Sequence, residues 1–225
     1  MCGRYSYFGP LDILKKNFSI EAMDWEPTPS YNVAPTQYVP AILSENGQTH
    51  LKHLHWGLIP SWAKDPAFGS RRINAREESL SEKPSFKNAF KKRRCFVVAN
   101  GYYEWTGEKG AKQPYYITTQ TSHPFGFAGL WEIWKDLENE TLTQSCTIIT
   151  TSASPHLKHI HNRMPIILAP EYYKKWLDSD IQDHASLFDI LQKGRGQELI
   201  FHPVSKAVNS AKNNGPELIQ AIDLG

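Results

Sequence analysis

Hydrophobic residues in this chain fall mostly into short runs bounded by Gly, Pro, Asn and Asp. That is the spacing of strands and turns rather than of long helices. Arg4–Phe8, Cys95–Ala99, Tyr102–Trp105, Pro114–Thr118, Phe125–Trp131, Cys146–Thr151, Met164–Leu168 and Leu199–Val204 read as strands. Tyr38–Leu43 and Thr49–Trp56 flank Asn46-Gly47, a hairpin signal. Helical spacing marks Pro10–Phe18, Pro170–Leu177 and Ile181–Gln192, and Glu77–Arg94 predicts a helix in two pieces broken at Pro84. Glu26–Pro35, rich in Pro and polar residues, reads as a loop. The pattern predicts an α+β fold: a single domain over 1–225 with a curved, mostly antiparallel, barrel-like sheet flanked by helices.

Composition adds little to this until it is read locally. The 225 residues are 40% hydrophobic and 21% charged with a net charge of +2, which argues neither for nor against nucleic acid. Three cysteines, Cys2, Cys95 and Cys146, lack paired spacing, so a reducing compartment without disulfides is expected. No apolar run has membrane-spanning length and no signal segment is visible, so a soluble cytoplasmic protein is expected. Charge is nevertheless uneven: Arg71–Arg94 holds nine Lys/Arg against three Glu. This is either a solvated helix face or a phosphate-contacting strip. Just before it, Trp56 and Trp62 bracket a Gly/Pro-bearing loop, and aromatics beside basic residues suit single-stranded nucleic acid. Trp56, at a strand end, is assigned to the core and Trp62 to the surface.

The chain starts Met1-Cys2-Gly3-Arg4. Removal of Met1 would leave Cys2 with an α-amine titrating near ~8 and a thiol near ~8.5 on one residue. Such a pair can condense with an aldehyde to an imine and close it to a thiazolidine; the plainer reading is a small residue in a frayed terminus. Glu104, in Gly101-Tyr102-Tyr103-Glu104-Trp105, is either a solvent-facing strand residue or a desolvated acid with a raised pKa. His161 follows His156 and His159, and histidine suits proton transfer at neutral pH. No Cys or carboxylate is spaced to complete a zinc set with these or with His53 and His55, so no metal is expected. Asn74 stands where a helix N-cap is common.

The ordered set Met1-Cys2-Gly3-Arg4, Tyr31-Asn32-Val33-Ala34-Pro35, Trp56-Gly57-Leu58-Ile59-Pro60, Ile73-Asn74-Ala75-Arg76-Glu77, Gly101-Tyr102-Tyr103-Glu104-Trp105, Ile160-His161-Asn162-Arg163-Met164-Pro165 and His202-Pro203-Val204-Ser205 resembles the SRAP family. The family is named for SOS response-associated peptidase and comprises abasic-site processing proteins. The resemblance implies a DNA-damage protein that senses abasic sites in single-stranded DNA and cross-links itself to them, shielding the lesion. It implies possible lyase and self-processing peptidase activity, a monomer, DNA association, and no cofactor. Carried over motif by motif, Cys2 is the cross-linking nucleophile and Asn74, Glu104 and His161 complete the active site. Arg4, Asn32, Trp62, Arg76 and Arg163 match positions that hold or stack on DNA. The residue types suit the chemistry: Glu104 to open the cyclic sugar, His161 to shuttle a proton, Asn74 to orient the amine or sugar. Rival classes are an N-terminal-cysteine hydrolase of glutamine amidotransferase or peptidase type, and a non-enzymatic single-strand binder.

Overall fold

The computed structural model describes residues 2–108, 110–121, 123–196 and 198–224. In chain order its strands are β1 (Tyr5–Tyr7), β2 (Ala22–Met23), β3 (Ser30–Val33), β4 (Tyr38–Glu45), β5 (Gln48–Trp56), β6 (Asn74–Arg76), β7 (Arg94–Ala99), β8 (Gly101–Thr106), β9 (Gln113–Thr119), β10 (Phe125–Lys135), β11 (Leu142–Ser152), β12 (Arg163–Pro165) and β13 (Leu199–Pro203). The helices are α1 (Leu11–Phe18), α2 (Pro84–Lys92), α3 (Tyr173–Leu177) and α4 (His184–Lys193).

Asn46 and Gly47 take positive φ of 51° and 78°, the conformation a two-residue hairpin turn requires, and set Glu45 opposite Gln48. From this hairpin the sheet runs antiparallel from β4 to β7, β10 and β11. β11 then returns parallel to β5, pairing Ser145 with His55 and Cys146 with Trp56. The five strands thus close into a mixed barrel, filled by fully buried Trp56, Phe96 and Phe127. A second sheet, ordered β13-β9-β8-β1-β3, lies against it. Tyr5 of β1 joins the two layers, edge-on to Trp56 at 5.1 Å and to Phe127 at 5.9 Å. The predicted fold class is therefore the observed one, with parallel contacts at β11–β5, β11–β6 and β2–β5. No helix is long and apolar enough to cross a membrane among the described residues.

Three sequence expectations need correction. The polar segment around Asn32 forms strand β3, laid antiparallel on β1, and Asn214 Oδ1 accepts from the Tyr31 and Asn32 amides at 2.7 and 3.1 Å. That partner is distant in sequence, so local composition could not reveal it. Residues 77–94 hold only one α-helix, α2, with Pro84 in its first turn; a 3-10 turn covers Glu77–Ser79 and Arg94 opens β7. Asn74 is not an N-cap: it starts β6, paired in parallel with Ile148.

β8 carries a packing constraint next to the site. A Cβ at Gly101 would lie 2.3 Å from the Tyr116 ring, whose hydroxyl is already hydrogen-bonded to Ser6 Oγ at 2.7 Å. Gly101→Ala is expected to destabilise the protein by about 1–3 kcal/mol through overpacking. The measurement is the chemical-denaturation midpoint, and an unchanged midpoint would show that this contact relaxes freely.

Candidate active site

Cys2 is fully buried just ahead of β1, and its thiol approaches the Arg4 carbonyl at 3.9 Å. Met1 lies outside the described residues. Asn74 Nδ2 donates to the Cys2 carbonyl at 2.7 Å, while Asn74 Oδ1 is buried without a hydrogen-bond partner among the described residues. Asn74 reaches Cys2 because β6 extends the β11 edge that β5 leaves, with Ile148 donating to the Ile73 carbonyl at 3.1 Å. Glu104 arrives from β8. The register that sets Tyr5 opposite Tyr102 carries Glu104 alongside the segment after Cys2, and Tyr103 donates to the Arg4 carbonyl at 2.9 Å. His161 sits on the loop between β11 and β12. Its Nδ1 accepts from the Arg163 amide at 2.9 Å, which assigns the proton to Nε2. Thr106 Oγ1 donates to the His159 carbonyl at 3.1 Å and ties this loop to the end of β8.

The four residues therefore converge at one end of the barrel. Glu104 is only 4% exposed, and burial pushes its carboxyl above the ordinary value, with His161 and Lys112 pulling the other way. Burial also pushes the Cys2 thiol up, and the neighbouring Glu104 adds to this. The thiol is held protonated, opposite to the low-pKa thiolate of a cysteine hydrolase.

Two basic clefts flank the site. One of about 500 Å³ is lined by Gly3, Arg4, Trp105, Gly110, Lys112, Lys206 and Asn209. The other, about 630 Å³, is lined by Arg71, Arg72, Arg76 and Lys83 together with Asn74 and Phe68. Arg76 is exposed there, and Trp62, 55% exposed, stands edge-on to Phe68 at 5.3 Å. The Arg72 guanidinium lies 3.4 Å over the Phe68 ring. The basic stretch divides at this point. Its first part faces the cleft, whereas Arg93 pairs with Glu132 at 2.6 Å and buried Arg94 donates to the carbonyls of Phe90, Trp176 and Asp178.

The other matched positions are engaged within the protein. Arg4 donates to Asn32 Oδ1 at 2.7 Å and to the Val208 carbonyl at 2.9 Å. Asn32 is buried, and its Nδ2 donates to the carbonyls of Val208, Ser210 and Asn213, so it supports Arg4 from behind. Arg163 holds Glu78 with both guanidinium nitrogens, at 2.6 and 3.0 Å. That hydrogen bonding lowers the Glu78 pKa. His156 and His159 pack against Phe201 at 5.0 and 5.2 Å, and among the described residues no three His, Cys, Asp or Glu gather where they could hold a metal ion. Sequence reasoning passed over Tyr5, Trp105, Lys112 and Lys206. It also passed over Tyr102, although alternation along β8 puts Tyr102 on the Glu104 face.

Residues 1–211 match the family described as SOS response associated peptidase (SRAP), and the chain belongs to this family. It is 42% identical over 224 residues to the abasic site processing protein YoqW of Bacillus subtilis, covering 98% of this chain and 100% of that protein. It is 31% identical over 229 residues to the abasic site processing protein YedK of Escherichia coli, covering 99% and 100%. The abasic site processing protein HMCES of Gallus gallus is 33% identical over 88% of this chain and 67% of its own length. A crystal structure of a Bacteroides thetaiotaomicron protein shares the fold, with a TM-score of 0.83 at 24% identity over 98% of this chain and 100% of that one.

The buried carboxyl has a consequence for stability. Below the unfolded-state value of about 4.3, Glu104 is protonated in both states and costs nothing. As pH rises, the unfolded chain ionises first, so the folded state loses stability until the raised folded pKa is passed. Glu104→Gln lacks this penalty. Its melting temperature is expected to match the wild type near pH 4 and exceed it increasingly towards neutral pH. Thermal melts across that range check this, and a variant less stable at pH 7 would contradict it.

Proposed function

We propose that the chain, as one SRAP domain over 1–225, recognises abasic sites in single-stranded DNA and bonds covalently to them through Cys2. The observation that carries this reading is the buried pairing of Cys2 with Asn74 beside the raised-pKa carboxyl of Glu104, between two basic clefts. After removal of Met1, the Cys2 amine attacks C1′ of the open-chain sugar and water leaves, giving an imine. Glu104, whose carboxyl burial pushes towards its protonated form, supplies and recovers the proton that ring opening requires. Asn74 Oδ1 is the acceptor that orients the amine, and the Nε2–H of His161 hydrogen-bonds the sugar oxygens. The thiol then adds across the imine: sulfur bonds to carbon and its proton ends on nitrogen, closing a thiazolidine. Without that closure the imine acidifies C2′ and the C3′–O bond breaks, so strand cleavage is the side path. The raised thiol pKa favours this amine-led order over an acyl-transfer hydrolase. Peptidase chemistry is confined, on this reading, to release of Met1.

The flanking strand is held by charge and stacking. Arg4 and Arg76 contact phosphates from the two clefts, Asn32 fixes Arg4, and Trp62 stacks on a base. Arg163 takes a phosphate in exchange for Glu78, which fills its guanidinium fork as a phosphate would. The protein acts as a monomer, needs no metal or cofactor, and works in the cytoplasm on DNA.

Intact mass after incubation with an abasic oligonucleotide is the test. Protein beginning at Cys2 should acquire the mass of the strand less one water, in a bond that resists heat and denaturant. Cys2→Ala keeps an amine, so it should lose the stable adduct yet retain some strand cleavage. A stable unreduced adduct with Cys2→Ala, or reaction by protein retaining Met1, would overturn the mechanism. Arg76→Ala should weaken binding to abasic and intact strands alike, by about tenfold or less, and reduce the salt dependence.

A further inference from the structure

Two buried hydroxyls in the core that also encloses Cys2 have no structural employment. Tyr5 and Tyr102 face each other across β1 and β8, and both rings stand edge-on to Phe127 at 5.9 Å. Both rings are fully enclosed, and both hydroxyl oxygens are buried without a hydrogen-bond partner among the described residues. Tyrosines on the opposite face of the same sheet behave differently. Tyr103 donates to the Tyr31 carbonyl at 2.7 Å, and Tyr116 is bonded to Ser6 at 2.7 Å. Phenylalanine would pack equally well at positions 5 and 102 and would avoid the penalty of an unsatisfied buried hydroxyl. Burial keeps both phenols protonated, and the neighbouring acids act in the same direction: Cys2 and Glu104 on Tyr102, Cys146 ahead of Cys2 on Tyr5.

We propose that Tyr102, seconded by Tyr5, is a positioning residue that steadies the Cys2 sulfur while it closes on the imine, committing the intermediate to the stable adduct rather than to strand cleavage. The inference rests on the covalent reading above. In the resting protein the thiol leans on the Arg4 carbonyl, an acceptor that can hold S–H but cannot stabilise negative sulfur. During closure the sulfur gains negative charge as its proton leaves for the imine nitrogen. A neutral phenol is then the appropriate donor. The phenols transfer no proton and no other reactant is consumed; the S–H bond breaks, the C–S and N–H bonds form, and the phenols only hydrogen-bond the sulfur.

The experiment compares wild type, Tyr102→Phe, Tyr5→Phe and the double variant on one abasic single-stranded oligonucleotide. Denaturing gels quantify stable adduct and nicked strand, and borohydride trapping at early times quantifies imine. Tyr102→Phe should bind intact DNA and form trapped imine as the wild type does. Its ratio of stable adduct to nicked strand should fall about fivefold to tenfold, with a smaller fall for Tyr5→Phe. Its melting temperature should be unchanged or higher, since an unsatisfied hydroxyl has gone. Wild-type ratios in all three folded variants would overturn this inference alone. So would a marked loss of thermal stability, which would mean that the hydroxyls serve the fold. Failure of the wild type to form any adduct would overturn the covalent reading and this inference with it.

Discussion

One edge of β11 determines where the reactive groups meet. Along that edge β11 accepts β5 at Ser145 and Cys146 and then β6 from Ile148 to Thr150, both in parallel. The handover occurs at Gly57, whose φ of 142° turns the chain out of β5 while its amide still bonds the Cys146 carbonyl at 2.9 Å. A Cβ there would fall 2.8 Å from the Gly69 carbonyl, so the turn demands glycine twice over. Trp56, the residue before it, fills the barrel end and donates its indole N–H to the Ile73 carbonyl at 2.9 Å. The side chain that closes the core therefore also anchors the strand bearing Asn74. Cys2 is clasped from this strand on one side and from β8 on the other.

Burial at this end of the barrel runs against the usual economy of folding. A carboxyl, a thiol and two phenols are withdrawn from water within one neighbourhood, and each is shifted towards its neutral form. Such a cluster persists because the barrel around it is tightly packed, with Phe96, Phe127 and Trp56 fully enclosed. The destabilised groups and the rigid closure are thus two sides of one arrangement.

Much of the barrel could be read locally. The Asn46–Gly47 turn and the apolar runs of β7, β10 and β11 carry their own signals; β7 lies within a residue of its expected limits, while β10 and β11 each run four residues further towards the hairpin that joins them. What escaped was held by distant partners. β3 is held between β1 and Asn214, and β6 is a three-residue strand held by the distant β11 edge, while Asn74 itself looks like a cap. The site was legible as a set of motifs rather than as a geometry. Asn32 matches a DNA contact by its motif alone, and the carbonyls of the 208–213 segment enclose it. The basic stretch read as one strip, but strand β7 draws Arg94 inside and leaves Arg71, Arg72 and Arg76 on the cleft. Tyr102 required knowledge of which face of β8 turns towards Cys2.

The enclosure of Cys2 also governs what the protein does when idle. Oxidants and alkylating agents react with thiolates that solvent can reach. A thiol kept protonated and wholly covered offers neither property, and Cys95 and Cys146 are covered in the same way. All three sulfurs are therefore shielded from peroxide and from adventitious disulfide exchange. Such shielding preserves these thiols under the oxidising conditions that accompany DNA damage.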